Sequence, residues 1–117
     1  MSKAGQYLKK LEQVIETDDR YDLEAYLFVQ EVMAFLVREN KVRRHLSGRE
    51  LLEGIRRYAL KEYGPLSREV LEHWGVHRCE DFGEIVFNMV GEGILRTTEQ
   101  DSKEDFRGGY DFREAFG

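Results

Sequence analysis

The sequence predicts a mainly α-helical, single-domain protein, a compact bundle of about five helices with a candidate C-terminal β-hairpin. Two observations indicate this class. Apolar residues recur at spacings of three and four along most of the 117-residue chain, as they do in helices that bury one face. Pro65 is the only proline, so long helices meet little interruption. A chain of this length can bury one core without disulfides or metals.

Residues 1–40 are predicted to contain two helices. The first runs from Ala4 to Glu16 and has one apolar face. The second runs from Leu23 to about Arg38, with Asp22 as its cap. Apolar residues cover so much of its circumference that it either lies at the centre of the core or also contacts a partner. Its two apolar stripes are Tyr26, Val29, Met33 and Leu36 on one side and Ala25, Phe28, Val32 and Phe35 on the other.

Residues 47–114 are predicted to form a winged-helix-like arrangement. Ser47 and Glu50 have the spacing of a capping box, which opens a helix over residues 49–63. Pro65 is predicted to begin a second helix that Gly75 ends, and a third covers residues 80–92. A hairpin would then complete the domain. Its strands would be residues 94–98 and 110–112, and its wing would be residues 99–109, which we expect to form a mobile loop.

Charge is unevenly distributed along the chain, whose net charge is −5. Residues 38–68 carry nine basic and four acidic side chains, whereas residues 69–117 carry five basic and twelve acidic ones. The third predicted helix and the wing are therefore acidic, and their charge would repel a DNA duplex. The candidate polyanion patch lies in the basic segment; the alternatives are a solvated helix face or a patch paired with the acidic C-terminal third. Its members are Arg43, Arg44, Arg49, Arg56 and Arg57.

Aromatic side chains are the candidate contacts for a protein partner. Those in the C-terminal segment either anchor it on its own core or serve as hot-spot side chains for a partner. We also expect the acidic tail to pack near residues 38–61, within one chain or across a dimer. The candidate partner contacts are Phe28, Phe35, Phe106, Tyr110, Phe112 and Phe116.

Catalytic and metal-binding signatures are weak. His73, His77 and Cys79 are close in sequence and suit zinc, but Gly75 lies between the histidines and no second Cys/His cluster supplies further ligands. Neither a nucleophile motif nor a Gly-rich phosphate loop occurs. We therefore predict no metal, no cofactor and no catalytic residue.

Cysteine content and hydropathy predict a cytoplasmic location. A lone cysteine, Cys79, cannot form an internal disulfide, which favours a reducing compartment. The N-terminal residues lack the apolar stretch of a secretory signal. The most apolar segment, residues 23–37, is too short and too polar to span a bilayer.

Several strings in the middle of the chain resemble a family of small uncharacterised bacterial proteins, a domain of unknown function. They are HLSGRELLEGIR at residues 45–56, YGPL at 63–66, WG at 74–75 and DFGEIVFN at 81–88, followed by YDF at 110–112. The resemblance covers roughly residues 21–116. It implies a compact cytosolic bacterial protein and supplies no catalytic residue and no ligand.

The function predicted from these observations is that of a non-enzymatic protein–protein interaction or adaptor module, which recognises another protein or forms a homodimer. The first alternative is a winged-helix-type nucleic-acid-binding regulator that uses the basic patch. The second alternative is a small metal-binding protein or enzyme. No membrane partner is expected.

Overall fold

The structure is a computed structural model that describes residues 3–40, 45–97 and 101–117. Its extents of 42 × 31 × 25 Å confirm the compact, mainly helical class. In the described part of the chain, two 3₁₀ turns lie between α-helices: Gly64–Leu66 and Lys103–Phe106. The helices within the described ranges are α1 (Lys3–Thr17), α2 (Leu23–Asn40), α3 (Gly48–Tyr63), α4 (Ser67–His73), α5 (Cys79–Gly91) and α6 (Phe112–Phe116).

Helix α3 begins at the predicted capping box. The Ser47 hydroxyl accepts a hydrogen bond from the Glu50 amide, and the Glu50 carboxylate accepts one from the Ser47 amide, both at 3.1 Å. Two of the free amides at the start of the helix thereby gain partners. Pro65 is the second residue of the Gly64–Leu66 turn and does not begin α4, which begins at Ser67. The buried Ser67 hydroxyl bonds the Ala59 carbonyl at 2.9 Å and thereby fixes α4 against α3.

Helix α2 lies at the centre of the core. Tyr26, Val29, Phe28 and Val32 are each at most 2% exposed, so both predicted apolar stripes are buried over most of their length. The neighbours of α2 are α1, α3 and α5. A helix that is apolar over so much of its surface has to be covered on several sides, and these three helices cover it.

The loop between α1 and α2 is tied to the end of α4. The Asp22 amide donates to the Trp74 carbonyl at 3.1 Å. Gly75 has a φ of +92°, and a Cβ at this position would lie 2.1 Å from the Arg20 carbonyl oxygen. Only glycine permits both the backbone conformation and this approach.

A polar network joins the same loop to α5. The Asp18 carboxylate accepts hydrogen bonds from Arg20 at 2.6 and 2.8 Å and from the Asn88 amide at 2.9 Å. The Tyr21 hydroxyl donates to Asp81 at 2.6 Å. Hydrogen bonding by Arg20 and Asn88 lowers the pKa of Asp18 well below its usual value.

The predicted C-terminal hairpin is wrong. Residues 94–97 and 110–112 form no strand, and the winged-helix-like arrangement therefore lacks its wing in the part of the chain that the structure describes. Residue 98, in the first predicted strand, and residues 99 and 100, in the wing, lie outside the described residues. The mobility of residues 99–109 stays a prediction.

Local caps explain why this segment turns instead of pairing. The Ser102 hydroxyl accepts from the Glu104 amide at 3.1 Å and starts the Lys103–Phe106 turn. Asp111 accepts from the amides of Arg113 and Glu114 at 2.8 and 3.3 Å and starts α6. Side chains that bond nearby amides in this way compete with strand pairing.

Candidate functional site

A cavity of about 250 Å³ lies between α2, α3, α5 and the C-terminal segment. Its walls are mainly apolar. Met33 and Val37 are one turn apart on α2, Val86 and Phe87 come from α5, and Phe106 comes from the Lys103–Phe106 turn. The walls of the cavity therefore come from elements that are distant from one another in the sequence.

Gly48, the first residue of α3, lets the C-terminal segment close one side of the cavity. A Cβ at Gly48 would lie 2.7 Å from the Asp105 Cβ and 3.0 Å from the Phe106 ring. Because glycine leaves this space empty, the Phe106 ring reaches the core, where it is 3% exposed.

The rim of the cavity is polar, and most of its charged groups are already engaged. His45 Nε2 lies 2.6 Å from an Asp101 carboxylate oxygen. The Asp105 carboxylate accepts a hydrogen bond from the Ser102 amide at 3.2 Å. Arg96 is exposed and has no ion-pair partner among the described residues. Within residues 3–40, 45–97 and 101–117, Arg96 is thus a rim cation without an ion-pair partner.

The described members of the predicted polyanion patch bond to their own chain. Arg49 donates to the Arg107 carbonyl at 3.2 Å, Arg56 pairs with Glu53 at 2.6 Å, and Arg57 binds both carboxylate oxygens of Glu39. They therefore do not form a set of uncommitted cations. Arg43 and Arg44 lie outside the described residues.

Most of the predicted partner contacts pack in the chain's own core, the first of the two alternatives for the C-terminal aromatic side chains, and contact with a partner stays a prediction. Phe28, Phe106, Phe112 and Phe116 are between 2% and 6% exposed, and of these four Phe106 also lines the cavity. In the tail, Phe112 and Phe116 pack edge to face at 5.1 Å. Phe35 stays half-buried and keeps part of its surface accessible.

Tyr110 anchors the tail on α3. Its hydroxyl donates to the Leu52 carbonyl at 2.8 Å, and burial raises its pKa. Together with the His45–Asp101 pair and the bond from Arg49 to the Arg107 carbonyl, this contact brings the acidic tail against residues 45–52 of the basic region, the within-chain arrangement of the two that were expected.

The predicted histidine and cysteine group does not converge. His73 and His77 are exposed, whereas Cys79 is 1% exposed and its thiol donates to the Tyr110 carbonyl at 3.4 Å. Burial raises the pKa of Cys79 to about 11, which keeps the thiol protonated near neutral pH. Within the described ranges, no three His, Cys, Asp or Glu side chains lie close enough together to hold a metal ion.

The sequence did not indicate the cavity because several of its lining residues, two of them leucines, lie outside the helices. Leu46 precedes the cap of α3 and Leu95 follows the end of α5. An apolar residue immediately beside a helix end is the signal that could have indicated them, since such residues often pack against the neighbouring turn.

Comparison with known proteins identifies no family model, no curated protein and no solved structure that matches this chain.

In the described part of the chain, no helix combines the length and the apolar character that crossing a bilayer requires.

Proposed function

We propose that this chain is a non-enzymatic protein-binding module whose cavity receives an apolar side chain of its partner. The cavity carries the proposal because it lies between the two segments, α2 and the C-terminal tail, that the sequence favours for contact. At about 250 Å³, it is smaller than the roughly 300–1,000 Å³ typical of pockets for drug-sized ligands. This size suits a single anchoring side chain, and anchors in pockets supply much of the affinity of protein interfaces.

Arg96 supports a more specific description of the partner. An exposed cation beside an apolar opening attracts a carboxylate, because charge complementarity at a rim favours the correct partner and orientation. The proposed binding segment therefore places an apolar residue in the cavity and an aspartate or glutamate next to it. The alternative of nucleic-acid binding gains less support, since Arg49, Arg56 and Arg57 already bond to their own chain.

The cellular compartment in which the protein works is part of the same proposal. Resemblance to the small bacterial family and the lone, buried Cys79 support an adaptor that works in a reducing cytoplasm. Neither observation specifies the partner, so the test uses peptides of random sequence.

Selection from a displayed random-peptide library tests the proposal. The cavity-blocking variant is Val37→Phe, and its matched control is Val70→Phe on α4, outside the cavity. Selected peptides should share an apolar residue adjacent to an acidic one. Val37→Phe should weaken their binding by at least about tenfold, the size of a small hot-spot loss, and Val70→Phe should not.

Charge reversal gives the second readout. Arg96→Glu should weaken binding by about threefold to fivefold, as expected for an exposed pair, whereas Arg113→Glu, an exposed arginine outside the cavity, should leave it unchanged. Equal binding by wild type and Val37→Phe, or the absence of any shared apolar residue, would contradict the proposal. Tight, salt-sensitive binding of duplex or single-stranded nucleic acid in place of peptide would favour the regulator instead.

A further inference from the structure

A cluster of aromatic rings lies along α2, α3 and the end of α4, away from the cavity. Phe28 forms its buried base, with ring centroids 5.8 Å from Tyr58, 6.1 Å from Tyr63 and 5.5 Å from Trp74. Tyr63 and Trp74 meet edge to face at 5.9 Å. Phe35 extends the cluster, 5.2 Å from Tyr58. We call the half-buried rings of Phe35, Tyr58, Tyr63 and Trp74 the aromatic face.

Carboxylates flank one end of the aromatic face. Glu24, Glu31 and Glu62 are exposed. Burial raises the pKa of Tyr63, and the charges of these three carboxylates add to that effect. The Tyr58 hydroxyl donates to Glu31 at 3.3 Å. Neither Glu24 nor Glu62 has an ion-pair partner in the part of the chain that the structure describes. This end therefore carries negative charge that no ion pair between described residues neutralises.

The other end of the face is covered by cations of the chain itself. Arg57 and Lys61 lie over the Phe35 ring, 5.6 and 5.4 Å from its centroid, and Arg57 also pairs with Glu39. Phe35 thus already holds two cations in the geometry of a cation–π contact. The rings of Tyr63 and Trp74 have no such cation among the described residues, although carboxylates lie beside Tyr63.

We propose that the aromatic face is a second docking surface, one that binds a basic segment of a partner protein. A lysine or arginine of that segment lies against Tyr63 and Trp74 and pairs with Glu24 and Glu62. Half-buried tryptophan and tyrosine supply the apolar contact that characterises the centres of protein interfaces. Uncompensated carboxylates select a cationic partner rather than a neutral or acidic one. The inference is independent of the cavity and of the acidic partner segment proposed for it.

Trp74 is the only tryptophan in the chain, so its fluorescence reports directly on this surface. The full chain is titrated with a hexa-arginine peptide and, in parallel, with hexa-glutamate. Hexa-arginine should produce a saturable change in Trp74 emission, and hexa-glutamate none. The double variant Glu24→Gln/Glu62→Gln should bind hexa-arginine about fivefold more weakly, the sum of two exposed ion pairs.

A matched variant separates this site from general attraction to an acidic protein. Glu12→Gln/Glu16→Gln removes the same two charges from exposed positions on α1, and it should bind like the wild type. Equal weakening in both double variants, or no saturable change in Trp74 emission, would overturn the proposal. A wild-type chain that dimerises without peptide, and that Glu24→Gln/Glu62→Gln renders monomeric, would assign the face to a second copy and would also overturn it.

Discussion

Replacing Phe106 with alanine tests whether the C-terminal segment belongs to the core. The Phe106 ring is 3% exposed and lies against Gly48 and Gly83, where an added Cβ would meet it at 3.0 and 3.2 Å. Truncation of a buried phenylalanine to alanine costs about 3–5 kcal/mol, through lost transfer free energy and the cavity left behind. Domains are typically stable by about 5–15 kcal/mol, so Phe106→Ala should lose a large part of the total.

Urea denaturation followed by Trp74 fluorescence measures this loss. We expect a lower midpoint with an unchanged slope, since the folded state should keep its overall burial. Phe106→Leu should lose less, about 1–1.5 kcal/mol. Leu8→Ala, at a residue that is 47% exposed on α1, is the control and should stay within about 0.5 kcal/mol of wild type. A loss below about 1 kcal/mol for Phe106→Ala would refute the packed position of the tail.

Three further predictions follow from single contacts. Arg20 and Asn88 lower the pKa of Asp18, so the charged carboxylate stabilises the fold above the ordinary aspartate value of about 3.9, and this contribution declines as the pH falls from there. Asp18→Asn should therefore lower the free energy of unfolding, measured by urea denaturation, by about 1 kcal/mol at neutral pH and by less in acid. The value is modest because Arg20 is largely exposed. An equal loss at both pH values would contradict the reasoning. Cys79, whose pKa burial raises to about 11, should react slowly with Ellman's reagent at mildly alkaline pH, and Tyr110→Ala should speed the reaction at least about tenfold; fast reaction of the wild type would count against the burial. Ser47→Ala removes the cap of α3 and should lower the free energy of unfolding by about 1 kcal/mol, while an unchanged midpoint would mean that the cap contributes nothing.

The helical part of the fold could be predicted because its signals are local. Ser47 and Glu50 form the capping box that their spacing indicates, and the apolar periodicity of α2 places the buried residues correctly. The predicted start of α4 differs by two residues from the observed one, because Pro65 also suits a 3₁₀ turn and lies inside the Gly64–Leu66 turn that precedes Ser67.

The C-terminal segment and the cavity could not be predicted in the same way. Tyr110-Asp111-Phe112 alternates aromatic and polar residues as a strand does, but three residues are too few to distinguish this pattern from Asp111 acting as a helix cap. Whether Phe106 and Phe112 face the core or a partner could not be settled from local patterns, since burial depends on where distant elements pack. The cavity arises from the meeting of α2, α5 and the tail, which no local pattern specifies.

The hydrogen bonds of the loop between α1 and α2 have a consequence for folding kinetics. Asp18 bonds a residue 70 positions away, and Tyr21 bonds one 60 positions away. Contacts between residues so far apart in sequence require a large loss of loop-closure entropy before they form. We therefore expect α1 to dock late, after α3 and α5 have formed. Asp18→Asn should then speed unfolding and leave the refolding rate nearly unchanged in stopped-flow measurements. Helix α1 is synthesised before α3 and α5, yet it would be among the last helices to pack onto the core.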